Sequence, residues 1–310
     1  MKLIHCFLSM SLALATGVSA GSVTFSAMGC GPYKDPDQVA LEYHIAQENR
    51  TTKKSAFLVH LGDINTGALA KSGKLGEDRY SSMAKWLTAG SSIPAYIVPG
   101  DNEWNDRPDP DVGWAHWTKH LLRLEETIAP SWKTERQEVR EENFAFVHGG
   151  VLFIGLNLVG GAVHDPIEWA TRFKQDNDWV EAQYEKHKGS VRAAVLFAQA
   201  NVIGQGRPKV AVNLLFSPFT TRFAELSAAF EKPVLFIHSD GHNWTKDRPW
   251  KKAQNVMRIQ VDLIQAKFPP VQGTVKEKPG EDGEIFSFDR RLNDPAWKSG
   301  KKVKASSSKK

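Results

Sequence analysis

The chain has 310 residues, of which 41% are apolar and 24% are charged, so the composition excludes a fibrous or wholly disordered protein. This length is enough for one large hydrophobic core. The formal net charge of +5 comes from a Lys- and Ser-rich tail, residues 298–310, because without the tail and Lys2 the chain has 33 basic against 35 acidic residues. Charge therefore does not indicate a nucleic-acid-binding domain, and no specific nucleic-acid motif is present.

Residues 1–20 have the pattern of an export signal. Lys2 is followed by the mostly apolar stretch Leu3–Val18 and then by small residues up to Ala20. We therefore expect a protein that is secreted, or that resides in the secretory pathway or periplasm; a buried N-terminal strand or helix is the alternative. Removal of this signal leaves Cys30 as the only thiol, so no internal disulfide is expected. No later stretch reaches the roughly 20 apolar residues of a membrane helix, and no membrane span is expected.

The remaining residues, 21–297, contain no internal repeat and no linker long enough to divide them, so we expect a single domain. The tail, residues 298–310, is expected to be disordered, because it has many Lys and Ser residues and almost no apolar ones. Such a tail is either simply solvated or in contact with polyanionic surfaces.

Short apolar runs that end abruptly on polar residues recur along the chain. They are rich in Val, Ile, Leu and Phe, as expected of buried strands. Six of them are Val23–Met28, Phe57–Leu61, Tyr96–Val98, Val151–Leu156, Ala193–Ala198 and Val234–Ile237. Three later runs, which we predict to be antiparallel strands, are Val256–Val261, Val271–Val275 and Glu284–Phe288.

Segments with helical character lie between the early runs. They are Asp37–Asn49, Asp78–Thr88 and Val112–Ile128. Alternation of strand and helix indicates an α/β protein with a parallel sheet, at least in the first half. Because side chains just beyond the carboxyl ends of such strands converge on one crevice, we expect the polar residues after the strands to form one site.

These strand ends carry five motifs in order. Gly62-Asp63 follows the second run, Pro99–Trp104 reads Pro-Gly-Asp-Asn-Glu-Trp, and Ile237–His242 reads Ile-His-Ser-Asp-Gly-His. With Phe25–Tyr33 and Val195–Asn201, the set resembles the motifs of the calcineurin-like metallophosphoesterases, in the secreted branch that has Gly-Asp-Asn-Glu-Trp. The resemblance covers about residues 22–265. It implies a four-layer α/β/β/α sandwich of mixed sheets.

The resemblance also implies a pair of divalent metal ions, Zn, Mn, Fe or Mg, that bind a phosphate ester and share one carboxylate. Asp63 corresponds to this bridging residue, and His242 to a ligand of the first ion. Several positions depart from the family pattern: Cys30 replaces an Asp, and Gln199 and Asp240 replace His residues. The implied metal ligands are Cys30, Asp63, Asn102, Gln199, Asp240 and His242.

The departures divide these ligands into two unlike sets. Cys30, Asp63 and His242 would hold the first ion and suit Zn²⁺. The second set, Asp63 with Asn102, Gln199 and Asp240, offers only oxygen atoms and suits Mg²⁺, Mn²⁺ or Ca²⁺. Two neutral amides among four ligands make this second site weak.

The resemblance implies a metal-dependent hydrolase of phosphoric monoesters or diesters with an atypical dinuclear site. Its partner would be a small phosphate-ester substrate, and the sequence does not indicate an oligomeric state. His242 and Glu103 are the implied catalytic residues, because Glu103 stands where the family has a His that assists the leaving group. The alternative is a catalytically inactive protein that keeps the fold as a binding module.

The same residues also have purely structural interpretations. Asp63 can cap a turn, Asn102 can be an ordinary turn residue, Cys30 can be a small buried hydrophobe, and His242 can be a packed histidine.

Overall fold

The computed structural model describes residues 21–203 and 214–298. The predicted export signal, residues 1–20, and the predicted tail beyond Lys298 lie outside the described residues. Within the described ranges, none of the helices combines the length and the apolar character needed to cross a membrane.

The described residues form helices and strands that we number in chain order. The strands are β1 Val23–Met28, β2 Leu58–His60, β3 Ala95–Ile97, β4 Glu135–Gln137, β5 Arg140–His148, β6 Val151–Gly155, β7 Ala193–Ala198, β8 Val234–His238, β9 Thr245–Asp247, β10 Val256–Gln260, β11 Val271–Val275 and β12 Phe286–Asp289. The α-helices are α1 Asp35–Arg50, α2 Gly67–Lys71, α3 Asp78–Thr88, α4 Pro110–His120, α5 Pro166–His187 and α6 Ser217–Phe230. Short 3-10 helices in the described ranges are Leu124–Ile128, Leu214–Phe216 and Pro295–Trp297.

The strands form two mixed sheets. The first has the order β12-β11-β1-β2-β3, in which β1, β2 and β3 are parallel, β11 pairs antiparallel with β1, and β12 pairs antiparallel with β11. The second has the order β4-β5-β6-β7-β8-β10-β9, with β6, β7, β8 and β10 parallel and antiparallel strands at both sides. Of the three late runs predicted to be antiparallel, β11 and β12 are so, whereas β10 runs parallel to β8.

Alternate side chains of the central strands enter two different hydrophobic cores. On β7, Val195 and Phe197 face the space between the sheets, whereas Ala194 and Leu196 pack beneath α5 and α6. The first sheet is covered on its outer face by α1, α3 and α4, through residues such as Leu41 and Tyr80. The predicted four-layer α/β/β/α sandwich is therefore confirmed.

The predicted helix Val112–Ile128 is divided in the structure. Helix α4 ends at His120, and Leu124–Ile128 forms a separate 3-10 helix. Arg123, between them, has a φ of 64°, in the left-handed region that a continuous α-helix cannot contain.

Helix α5 places an acidic side chain inside the protein. Asp176 is fully buried, its Oδ1 atom accepts a hydrogen bond of 2.8 Å from Asn143 Nδ2, and its Oδ2 atom has no hydrogen-bond partner. Burial raises the pKa of Asp176 from its ordinary 3.8 to about 7, against the opposing effects of the Asn143 hydrogen bond and of Arg172 and Arg140.

We expect Asp176→Asn to stabilise the protein at neutral pH. Because the folded-state pKa of Asp176 is raised, its stabilising contribution is complete below about pH 4 and is lost as the pH rises through about 7. Asn has no proton to lose. The difference in free energy of unfolding, variant minus wild type, should therefore increase from about pH 4 to about pH 7 and stay constant above that. Urea unfolding at several pH values measures this difference.

The matched control is Asp178→Asn, an exposed change on the same helix. It should shift stability by a small and nearly constant amount over the same range. A difference between Asp176→Asn and wild type that does not vary with pH would contradict the assignment.

Candidate metal centre

Polar residues that follow five strands of the two sheets meet in one cleft. Cys30 lies beyond β1, Asp63 beyond β2, and Gln199 beyond β7. Asp101 with Asn102 follows β3, and Asp240 with His242 follows β8. The cleft has a volume of about 520 Å³, and its lining includes Tyr33, Asp63, Asp101, Asn102, Asp240 and His242. The structure thus brings the sequence-predicted ligands to one place, as the strand-end argument requires.

Cys30, Asp63 and His242 form the tightest group of possible metal ligands among the described residues. The Cys30 Sγ atom, an Asp63 carboxylate oxygen and a His242 ring nitrogen all lie within 4.8 Å of one another. Cys30 and Asp63 are buried, whereas His242 is exposed. The Cys30 thiol donates to Asp63 Oδ2 at 3.3 Å, and the backbone N–H of Asp240 donates to Cys30 Sγ at 3.1 Å. A thiolate, a carboxylate and an imidazole in this arrangement fit Zn²⁺.

Three carboxyl groups, those of Asp63, Asp101 and Asp240, share this poorly solvated space. Burial and the neighbouring carboxylates Glu103 and Asp240 raise the pKa of Asp63 to about 7. Burial, with repulsion from Asp63 and Asp240, also holds the pKa of Asp101 well above its usual range, and burial raises that of Asp240. Desolvated acids that disfavour one another's ionisation make an environment suited to a cation.

The backbone is strained at the same residues. Cys30, Asp63, Asp240 and His242 have φ values of 56°, 62°, 63° and 63°, in the left-handed region that residues other than Gly seldom adopt. Such conformations persist only where the surrounding structure enforces them, and they cluster at functional sites. Here they turn four side chains of the candidate centre toward one another.

The loops after β2 and β3 approach each other as closely as glycine permits. Gly62 has a φ of 75°, and a Cβ atom at this position would lie 2.7 Å from Gly100 Cα. Any side chain there would push the two loops apart. Asp63 and Asp101, the next residues in each loop, would then separate.

Glu103 holds these two loops together. Its Oε1 atom accepts hydrogen bonds from the backbone N–H groups of Gly100 at 2.7 Å and Asp63 at 3.1 Å. Its Oε2 atom accepts from the N–H group of Ile64 at 3.1 Å. The side chain is completely buried. Both oxygens are engaged by backbone donors, and burial raises the pKa of Glu103 to about 7, so its predicted role as an acid stays a prediction.

Asp101 lies at the candidate centre, although the sequence analysis did not include it. Its Oδ1 atom accepts a hydrogen bond of 3.0 Å from Gln199 Nε2, and its carboxyl group is hydrogen-bonded to that of Asp63. Asn102, which the motif implies as a ligand, borders the cleft, and its backbone N–H lies 3.5 Å from Asp63 Oδ1. The signal was present in the sequence, because Asp101 also follows the strand and offers a harder ligand than the amide beside it.

Gln199 lies at the centre, but its amide nitrogen, and not the predicted oxygen, faces the carboxyl groups. Its Nε2 atom donates to Asp63 Oδ2 at 3.1 Å and to Asp101 Oδ1 at 3.0 Å. Its Oε1 atom accepts from the backbone N–H of Gly160 at 2.9 Å. The predicted oxygen donor therefore presents a nitrogen, which is not a metal ligand while it carries two hydrogens.

Tyr33 is a second residue that the ligand pattern did not identify. Its hydroxyl lies 3.4 Å from His242 Nε2, and its ring packs edge-on against the imidazole. Burial raises the pKa of Tyr33, and the ionised forms of Cys30 and Asp63 would raise it further, so the phenol keeps its proton and serves as a neutral donor.

Comparison with known proteins supports the fold assignment. A dimetal phosphatase from Danio rerio has a structure similar to this one, with a TM-score of 0.55 and 12% sequence identity over 82% of this chain and 92% of that one. Two others have TM-scores of 0.48 and 11% identity: GAP50, the anchor in the inner membrane complex of Plasmodium, over 87% of this chain and 88% of its own, and TT1561 of Thermus thermophilus, over 86% and 98%. Neither a family model nor a curated protein matches the sequence. At 12% identity, the likeness to the dimetal phosphatase shows a shared calcineurin-like fold and no more.

Glu103→Gln tests the structural role of this side chain. The amide keeps one acceptor oxygen and turns an NH₂ group toward backbone donors, so we expect a loss of about 1–3 kcal/mol in the free energy of unfolding. Urea unfolding of the metal-free protein measures this loss of stability. Glu126→Gln, the same change at an exposed position, is the control. Unchanged stability together with loss of one limb of a pH–activity profile would instead support the predicted acid role.

Proposed function

We propose that this protein is a metal-dependent hydrolase of phosphoric esters, with a divalent ion held by Cys30, Asp63 and His242. The observation that carries the proposal is the convergence of three ligand atoms within 4.8 Å of one another at the cleft. The likeness to a dimetal phosphatase supports the choice of phosphate esters as the substrate class. We propose Zn²⁺ first, because the ligand set includes a thiolate and an imidazole.

When bound, such an ion would polarise a phosphoryl oxygen and lower the pKa of a water molecule. The chain contributes the shape and the donors around it. His242 is exposed, which leaves the centre open to a substrate on that side. Cys30 and Asp63 are buried, and Asp63 and His242 both line the cleft, so substrate would reach the centre through the cleft.

The rim of the cleft can orient an anionic substrate without a basic side chain. Tyr33, Asn102 and Asn243 line the cleft and supply neutral donors. The Tyr33 phenol, which holds its proton, is the group placed to donate a hydrogen bond to a phosphate oxygen or to a leaving group. In this proposal Tyr33 has the role of assisting the leaving group, which the sequence analysis assigned to Glu103.

A binding module without catalysis is the second candidate. It is favoured by Gln199, whose amide group donates to Asp63 and Asp101 in the part of the cleft where a second ion would be expected. The export signal predicted for residues 1–20 would place either protein outside the cytoplasm; in that case the buried, unpaired Cys30 would be shielded from oxidation by its burial.

The proposal predicts turnover that depends on the three ligands. Purified protein, loaded with Zn²⁺, Mn²⁺ or Mg²⁺, should hydrolyse p-nitrophenyl phosphate or bis(p-nitrophenyl) phosphate. Asp63→Asn and His242→Ala should each lower both metal affinity and kcat/KM. The decrease should exceed roughly 100-fold, the upper end of the effect of mutating a residue that only hydrogen-bonds to a metal ligand.

His187→Ala, in the last turn of α5, is the control and should leave both quantities unchanged. A folded wild-type protein that retains no metal and hydrolyses neither ester with any of the three ions would contradict the enzyme and favour the binding module.

A further inference from the structure

Gln199 occupies the point at which the acids of the centre meet. The side chain is completely buried, and one NH₂ group spans Asp63 Oδ2 and Asp101 Oδ1, at 3.1 and 3.0 Å. An amide NH₂ group has two hydrogens, and two carboxylates use both of them. Gln199 thus supplies the positive end of a dipole where these two acids face each other.

The orientation of this amide is set by a third partner. Gly160 donates its backbone N–H to Gln199 Oε1 at 2.9 Å, and a backbone N–H can only donate. A flipped amide would set its NH₂ group against this donor and its oxygen against two carboxylates. Both contacts would be repulsive, so the hydrogen-bond network admits one orientation.

The loop that contains Gly160 also lies directly against the acids. A Cβ atom built on Gly160 would be 3.2 Å from Asp101 Oδ2 and 3.6 Å from Asp240 Oδ2. The backbone at Gly160 therefore packs against the carboxyl groups of Asp101 and Asp240. Asp240 Oδ2 is further engaged by the backbone N–H of Asn201 at 3.3 Å.

We infer that this centre binds a single metal ion, at Cys30, Asp63 and His242, and that the Gln199 amide takes the place of a second ion between Asp63 and Asp101. The inference rests on the proposed function for the existence of the first ion. A second ion would need the two carboxylate oxygens to which Gln199 donates, and Gln199 itself offers no oxygen in return. The chain therefore combines the fold of a dimetal phosphatase with a mononuclear centre.

Metal stoichiometry tests the inference independently of activity. Wild-type protein is incubated with excess Mn²⁺ or Zn²⁺, desalted, and measured by elemental analysis; the Mn²⁺ form is also examined by electron paramagnetic resonance. We expect one ion per chain and the spectrum of an isolated Mn²⁺. The variant Gln199→Glu keeps an acceptor for the Gly160 N–H and replaces the NH₂ group by an oxygen, so it should bind two ions and show an exchange-coupled spectrum.

Gln47→Glu, an equal change of charge on α1, is the control and should retain one ion. If Gln199→Glu does not fold, Gln199→His replaces it, and the wild-type stoichiometry is decisive in either case. Two ions in the wild-type protein, or one ion in a folded Gln199→Glu protein, would overturn the inference. One bound ion without turnover would refute the proposed hydrolase activity and leave the single-ion centre standing. No bound ion would refute both the activity and the single-ion centre.

Discussion

Mutual repulsion among three carboxyl groups, two buried and one partly buried, is the constraint that organises this site. Asp63, Asp101 and Asp240 come from different strand ends, and packing of the two sheets buries the first two and partly covers the third. Acids in such a position must be protonated, neutralised by a cation, or supplied with hydrogen-bond donors. The surrounding residues supply donors: the thiol of Cys30, the amide of Gln199 and the backbone N–H groups of Asn102 and Asn201.

The sequence allowed the architecture to be predicted where strands are apolar throughout. The runs that became β6, β7 and β8 are buried on both faces, so nearly continuous apolar stretches rich in Val, Leu and Phe identified them. Helix α5 went unpredicted because its buried face includes polar residues, among them Arg172, Asp176 and Gln183, which obscure the helical period. Strand β5 begins with charged residues and has no run that stands out from its surroundings.

The site could be predicted only as far as residue type and strand order determine it. Cys30, Asp63 and His242 lie two to four residues beyond the ends of β1, β2 and β8, so their convergence followed from topology. The roles of Asp101, Glu103 and Gln199 depend instead on which way a side chain leaves a tight turn, and spacing along the chain does not specify this. Glu103 is the clearest case: a position suited to an acid by motif is occupied by a side chain whose oxygens face backbone donors.

The left-handed backbone at Cys30 has a consequence for how the centre can change over evolutionary time. Asp and Asn enter this conformation more readily than most residues because their short polar side chains can bond locally to the backbone. At a φ of 56°, the loop after β1 is thus already shaped for an acidic residue, although it contains a Cys. An exchange of the sulfur ligand for an oxygen ligand at this position would keep the backbone conformation of the loop. A single substitution therefore separates a centre with a thiolate ligand from one whose ligands are two carboxylates and an imidazole.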